Sequence, residues 1–173
     1  DYDIYAQHVL GAGNVDPAWT PNGAALTAGL GDQEFPDIAS DGAGGAIVAW
    51  RDYHIDGGDI FARHVMASGV MDPAWPAVGV AVCTASGFQE APKLVSDDAG
   101  GAIIVWDDGR SSVTFLDVYA QHVLASGVVD PAWTANGVAL STEPNDQNAP
   151  RIATDGAGGA IVTWFDFRNG SDF

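Results

Sequence analysis

The chain repeats itself three times, and that periodicity constrains its architecture more than any single residue. Laid against itself, residues 3–40, 59–96 and 117–154 align, and the segments after them continue the match. The copies read DIYAQHVLGAGNVDPAW, DIFARHVMASGVMDPAW and DVYAQHVLASGVVDPAW, then SDGAGGAIVAW, SDDAGGAIIVW and TDGAGGAIVTW. All 6 tryptophans fall at matching places: Trp19, Trp75 and Trp133, then Trp50, Trp106 and Trp164. A unit of about 57 residues that recurs with such fidelity is one supersecondary element whose hydrophobic faces are covered by its neighbours.

Gly, Pro, Asp and Ser divide each copy into four short strands. In the middle copy these are expected at Lys93–Ser96 (a), Ala102–Trp106 (b), Val118–Leu124 (c) and Val138–Ser141 (d), with a and b joined in a hairpin through Asp97–Gly101. No stretch carries a 3.6-residue period, and the glycines and prolines oppose long helices. Strands such as Ala46–Ala49 are apolar on both faces, which fits a strand sandwiched between two sheets rather than one half in water. Four antiparallel strands per unit predict the blades of an all-β, β-propeller architecture. A three-repeat β-trefoil would need shorter units.

The domain reading is therefore one repeat domain, divided into a half-blade (1–35, strands c and d), two blades (36–91 and 92–149) and a half-blade (150–173, strands a and b). Propellers have about 4 to 8 blades. Three blade equivalents thus predict either a homo-oligomer whose half-blades complete one another or a piece of a longer array, since an open sheet edge invites pairing. An opening Asp1 in place of Met reads as a processed, excised or incomplete start.

Charge narrows the partners. Six Lys plus Arg against 23 Asp plus Glu leave a formal charge of −17, which repels nucleic acid and anionic membrane surfaces over about 8 Å. The longest apolar runs fall well short of the roughly 18 residues of a membrane-spanning helix. Cys83 is the only cysteine, so no intrachain disulfide forms, and its apolar surroundings predict an inert, buried thiol.

The pattern Asp-Gly-x-Gly-Gly-Ala-Ile-Val-x-Trp, followed by a loop bearing Asp and Arg, then Asp-Ile-Tyr-Ala-Gln and Asn-Gly-Val-Ala, resembles the repetitive β-propeller-like proteins of bacterial secretion and cell-surface systems. The resemblance spans essentially the whole chain and implies an extracellular or surface-attached location with no defined reaction. Asp41–Gly45 is also similar to the Asp-box turn of sialidase-like propellers, although Trp50 lies further from the Asp than that motif places its aromatic residue. That likeness argues fold and not activity.

Candidate sites concentrate in the loops between strands b and c, which differ most among copies, as binding loops on a repeated scaffold do. An Asp stands two residues after each strand-b Trp (Asp52, Asp108, Asp166), and His54, Arg110 or Arg168 stands two further on; Tyr53 and Phe167 lie between. These residues form either a ring of polar groups for sugars or a cation, or a set of braces in which each Asp holds its own loop. Trp19, Trp75 and Trp133 offer flat faces for glycan stacking or plug the gaps between sheets. His8, His64 and His122 recur singly on strand c and read as structural. Asp1, Asp3, Asp56, Asp59 and Asp107 supply hard oxygens of the kind calcium takes, without the spacing of a calcium loop.

No nucleophile elbow, zinc-binding helix motif or phosphate loop is present. Glu34, Glu90 and Glu143 lie near the d-to-a connections, where paired carboxylates would serve glycoside hydrolysis. The expectation is a non-enzymatic interaction or assembly scaffold; the alternatives are a lectin-like glycan binder and, behind it, a glycosidase- or sialidase-like enzyme.

Overall fold

A computed structural model describes residues 1–27, 29–54, 57–111 and 115–170. It is all-β, with twelve antiparallel strands and no helix among the described residues. Strands β3 (Gln33–Ser40), β4 (Ala46–Asp52), β5 (Asp59–Val65) and β6 (Val80–Cys83) form one four-stranded sheet in that order. Strands β7 (Gln89–Ser96), β8 (Ala102–Asp108), β9 (Asp117–Val123) and β10 (Val138–Ser141) form a second. Two half-sheets flank them: β1 (Tyr5–Ala6) with β2 (Ala24–Ala25), and β11 (Gln147–Thr154) with β12 (Ala160–Asp166). Among the described residues the half-sheets do not pair with each other, and no sheet closes into a ring.

The doubly apolar strands sit where both faces are covered. On β4, Ile47 and Ala49 enter a core shared with Leu94, Ile104 and Trp106 of the next sheet. Its other face sends Val48 and Trp50 toward Ile4 and Leu26 of the preceding half-sheet. Alternate residues thus serve two interfaces, which is why the strand lacks a polar stripe.

Strand a is longer than its expected Lys93–Ser96. It begins at Gln89 and carries a bulge between Glu90 and Lys93, and the same irregularity recurs in β3 and β11. Pro36, Pro92 and Pro150 lack an amide to donate, and the residues before them (Phe35, Ala91, Ala149) take positive φ of 54°, 51° and 54°. The proline interrupts the ladder without ending the strand.

Sheets are also tied by directed bonds. The Leu94 amide donates to Asp37 Oδ2 at 3.1 Å, and the Ala149 amide to Asp107 Oδ1 at 2.9 Å. Trp19 donates from Nε1 to the Ala67 carbonyl at 2.9 Å, and Trp75 to the Ala125 carbonyl at 3.2 Å, each reaching into the following repeat. There the indole lies flat on a glycine. A Cβ on Gly69 would stand 2.7 Å from Trp19 Cδ2, and one on Gly127 2.7 Å from Trp75 Cγ. Glycine is required because any side chain would occupy the volume of the ring.

Candidate functional site

Two ends of the sheet stack carry the recurrent polar residues. The end with the a–b and c–d turns holds an Asp–His–Asp clamp in each complete sheet. His64 contacts Asp72 Oδ2 through Nδ1 at 2.8 Å and Asp41 Oδ2 through Nε2 at 2.9 Å; His122 contacts Asp130 and Asp97 at 2.9 Å each. Burial alone would raise the Asp97 carboxyl, but the His122 bond and the Ala99 and Gly101 amides outweigh it and hold Asp97 below its ordinary value; Asp41 is held down likewise by His64. Both ring nitrogens face a carboxylate, so each imidazole bridges two aspartates. The clamp locks the a–b turn to the c–d turn.

The half-sheets carry the corresponding residues at opposite ends of the chain. His8 Nδ1 meets Asp16 Oδ2 at 2.8 Å, while Asp155 at the other end of the chain accepts the Ala157 and Gly159 amides, as Asp41 and Asp97 accept theirs.

At the opposite end, the b–c loops lie against the d–a connections. The Tyr53 amide donates to the Asp32 carbonyl, Gly109 to Phe88 and Phe167 to Asp146. Each strand-b Trp donates its indole N–H to the Asp two residues later, at 3.2, 2.7 and 3.2 Å for Asp52, Asp108 and Asp166. The other oxygen of each Asp accepts the amide of His54, Arg110 or Arg168. These aspartates brace their own loops.

The third member of each loop differs. Arg110 forks onto Asp108, with Nε on Oδ1 at 2.8 Å and Nη2 on Oδ2 at 2.6 Å, reaches the Asn136 carbonyl at 2.6 Å and the Cys83 sulfur at 3.1 Å, and lies 3.9 Å over the Tyr119 ring. Arg168 forks onto Asp166 at the open end of the stack, and this holds the Asp166 carboxyl far below its ordinary value. His54 bonds Asp52 through Nδ1 and packs edge-on against Phe61 at 5.4 Å. Tyr53 is stacked under Arg51, 4.0 Å from its ring centroid. Beside Asp52 and His54 a cavity of about 360 Å³ opens, lined by Thr27, Leu30, Gln33 and Val78 among others.

The tryptophans are not equivalent. Trp19 and Trp75 are 7% and 3% exposed, with their faces spent on the following repeat, so they have none left to offer a sugar ring. Trp133 is only half-buried. Of the acidic residues, Asp56 lies outside the described residues, and among the described ones no three His, Cys, Asp or Glu side chains converge to hold a metal ion. Asp107, 6% exposed, is pushed up to about 7 by burial, against the Ala149 amide and with the Glu90 charge adding to the rise. Glu90 is paired with Arg51, and Glu143 approaches Arg168 at 3.7 Å.

Cys83 is fully buried, and burial pushes its thiol up to about 11. It stands where the other copies have a hydroxyl: Thr27 Oγ1 donates to Gln33 Oε1, and Ser141 Oγ to Gln147 Oε1, both at 3.4 Å. Gln89, equally buried, has no hydrogen-bond partner for either side-chain polar atom among the described residues. Cys83→Ser is therefore expected to keep stability within about 1 kcal/mol of the parent in urea unfolding, because the new hydroxyl satisfies Gln89. A loss above about 2 kcal/mol would show that thiol packing and the Arg110 contact outweigh that bond.

Comparison of the chain with protein-family models, curated proteins and solved structures finds no match.

Proposed function

We propose that the chain is a non-enzymatic, extracellular β-propeller-type module that works as an assembly scaffold, with the half-sheets of one copy completed by those of a second. The observation that carries this reading is the split clamp: His8–Asp16 at one end lacks the partner that Asp155 represents at the other. By the repeat, Ala160–Asp166 pairs with Val9–Asp3 as Ala102–Asp108 pairs with Val123–Asp117.

Several features of the interface between complete sheets are likewise divided between the ends. Gly13, the counterpart of Gly69 and Gly127, has nothing within 4 Å of its Cβ position, which leaves room for the Trp133 indole. Among the described residues Arg168 has no counterpart of the carbonyl that Asn136 gives Arg110, and Asn22 stands at that position of the repeat. Ile161 is 64% and Ile38 58% exposed, whereas their counterparts Ile47 and Leu94 share a buried core. A groove lined by Ala6, Gln7, His8 and Ile38 lies where strand b of a completed sheet belongs. Two copies would then hold four intact and two composite sheets, the six blades of a common propeller. The acidic surface and the secreted-repeat resemblance support the extracellular setting.

Light scattering at high micromolar concentration is expected to give twice the chain mass. Gly13→Asn keeps a residue that tolerates positive φ and fills the empty Trp133 site; it is expected to leave circular dichroism unchanged and the protein monomeric. A monomeric parent, or a dimer indifferent to Gly13→Asn, refutes the reading.

A further inference from the structure

We propose that the cavity beside Asp52 is a binding site for an alkylguanidinium group, the chemistry of an arginine side chain presented by a partner. The ligand is drawn by the protein's own second repeat. There the Arg110 guanidinium is held by the Asp108 carboxylate, the Asn136 carbonyl, the Cys83 sulfur and the Tyr119 face. In the first repeat the corresponding residues are Asp52, Val78, Thr27 and Phe61, so a carboxylate, a backbone carbonyl and an aromatic ring recur and a hydroxyl stands in for the sulfur. The arginine itself is replaced by His54.

Histidine is shorter than arginine. Its ring reaches Asp52 and the edge of Phe61 and stops there. The outer part of the slot, toward Thr27 and Val78, remains as the cavity of about 360 Å³. Asp52 is 5% exposed, and its carboxylate is fixed by the Trp50 indole and the His54 amide, so the acceptor is oriented before any ligand arrives. Leu30 and Val78, 86% and 71% exposed at the mouth, provide apolar contact for an alkyl stem. A single carboxylate is a poor cage for calcium, which takes about 6 to 8 oxygens. A planar, multiply donating cation matches the acceptors present.

The inference is independent of dimerisation, because the slot is built within one chain. The test titrates n-butylguanidinium into the protein and follows the Trp50 indole N–H resonance, whose hydrogen bond ends on Asp52. A saturable shift is expected with n-butylguanidinium and none with n-butylurea, the neutral analogue of similar shape. His54→Arg, which rebuilds the Arg110 arrangement and fills the slot from inside, is expected to weaken binding by about tenfold or more. No saturable shift, an equal response to n-butylurea, or undiminished binding by His54→Arg overturns the proposal. Repeating the titration on Gly13→Asn keeps its outcome separate from that of assembly.

Discussion

Trp75→Ala is expected to destabilise the fold by about 3–5 kcal/mol, the range for removing a fully buried large aromatic side chain. The substitution empties the volume above Gly127, removes the bond to the Ala125 carbonyl and strips the ring that tilts against His64 at 5.9 Å. Trp133→Ala is expected to cost only about 1–2 kcal/mol when measured in the Gly13→Asn background. Trp133 occupies the same place in its repeat and packs on His122 at 5.9 Å, but no following repeat within the chain covers it. Urea unfolding of both variants checks the contrast. Equal losses would mean that the cost lies within each sheet and that the latch onto the next repeat is energetically minor.

Asp107→Asn is expected to raise stability by about 2–4 kcal/mol at pH 8 and by a smaller amount, about 1–2 kcal/mol, at pH 5. With its value pushed up to about 7, folded Asp107 holds a proton at pH values where the unfolded chain has lost it. Its contribution therefore favours the folded state most below the ordinary carboxylate value and weakens as pH rises toward and through 7. Asparagine keeps an acceptor for the Ala149 amide and carries no charge to bury. Asp41 and Asp97 work in the opposite sense: held low by their histidines, they stabilise above the ordinary value and lose that contribution as pH falls below it. The parent is thus expected to be most stable in mildly acidic buffer, with the alkaline decline flattened in Asp107→Asn. A parent equally stable at pH 5 and pH 8 contradicts this account.

The sheet stack has one consequence for assembly that single contacts do not show. The interface between the two complete sheets combines three devices: an apolar strand-b face, the Trp75 indole on Gly127, and amide-to-carboxylate and ion-pair ties from Leu94 to Asp37 and from Arg51 to Glu90. In the proposed assembly, each end would present one half of such an interface to the other end of a like copy.

Local chemistry made much of the fold legible in the residues alone. The antiparallel hairpins followed from glycine-rich turns between short apolar runs, and β8 and β10 begin where Ala102 and Val138 were expected to start strands. The positive φ before Pro92 that lets β7 run back to Gln89 was not legible, because proline normally argues for a boundary. The recurrence of Asp130, three residues ahead of Trp133, and of His122 was visible, but not that Asp97 and Asp130, 25 and 8 residues from that histidine, close on its two nitrogens. The change from Arg110 to His54 was equally visible; the void it leaves is a difference in side-chain reach, and it acquires meaning only beside Thr27 and Val78.

By itself, the sequence determined the repeat, the all-β strand content and which residues recur, since periodicity, turn chemistry and two-sided apolarity are written along the chain. Tertiary structure alone decided which tryptophans are covered, which carboxylates are clamped and which is pushed up by burial, and where an arginine-shaped space is left open. Those properties depend on what stands across an interface, and identical repeats meet different neighbours at the middle and at the ends of a stack.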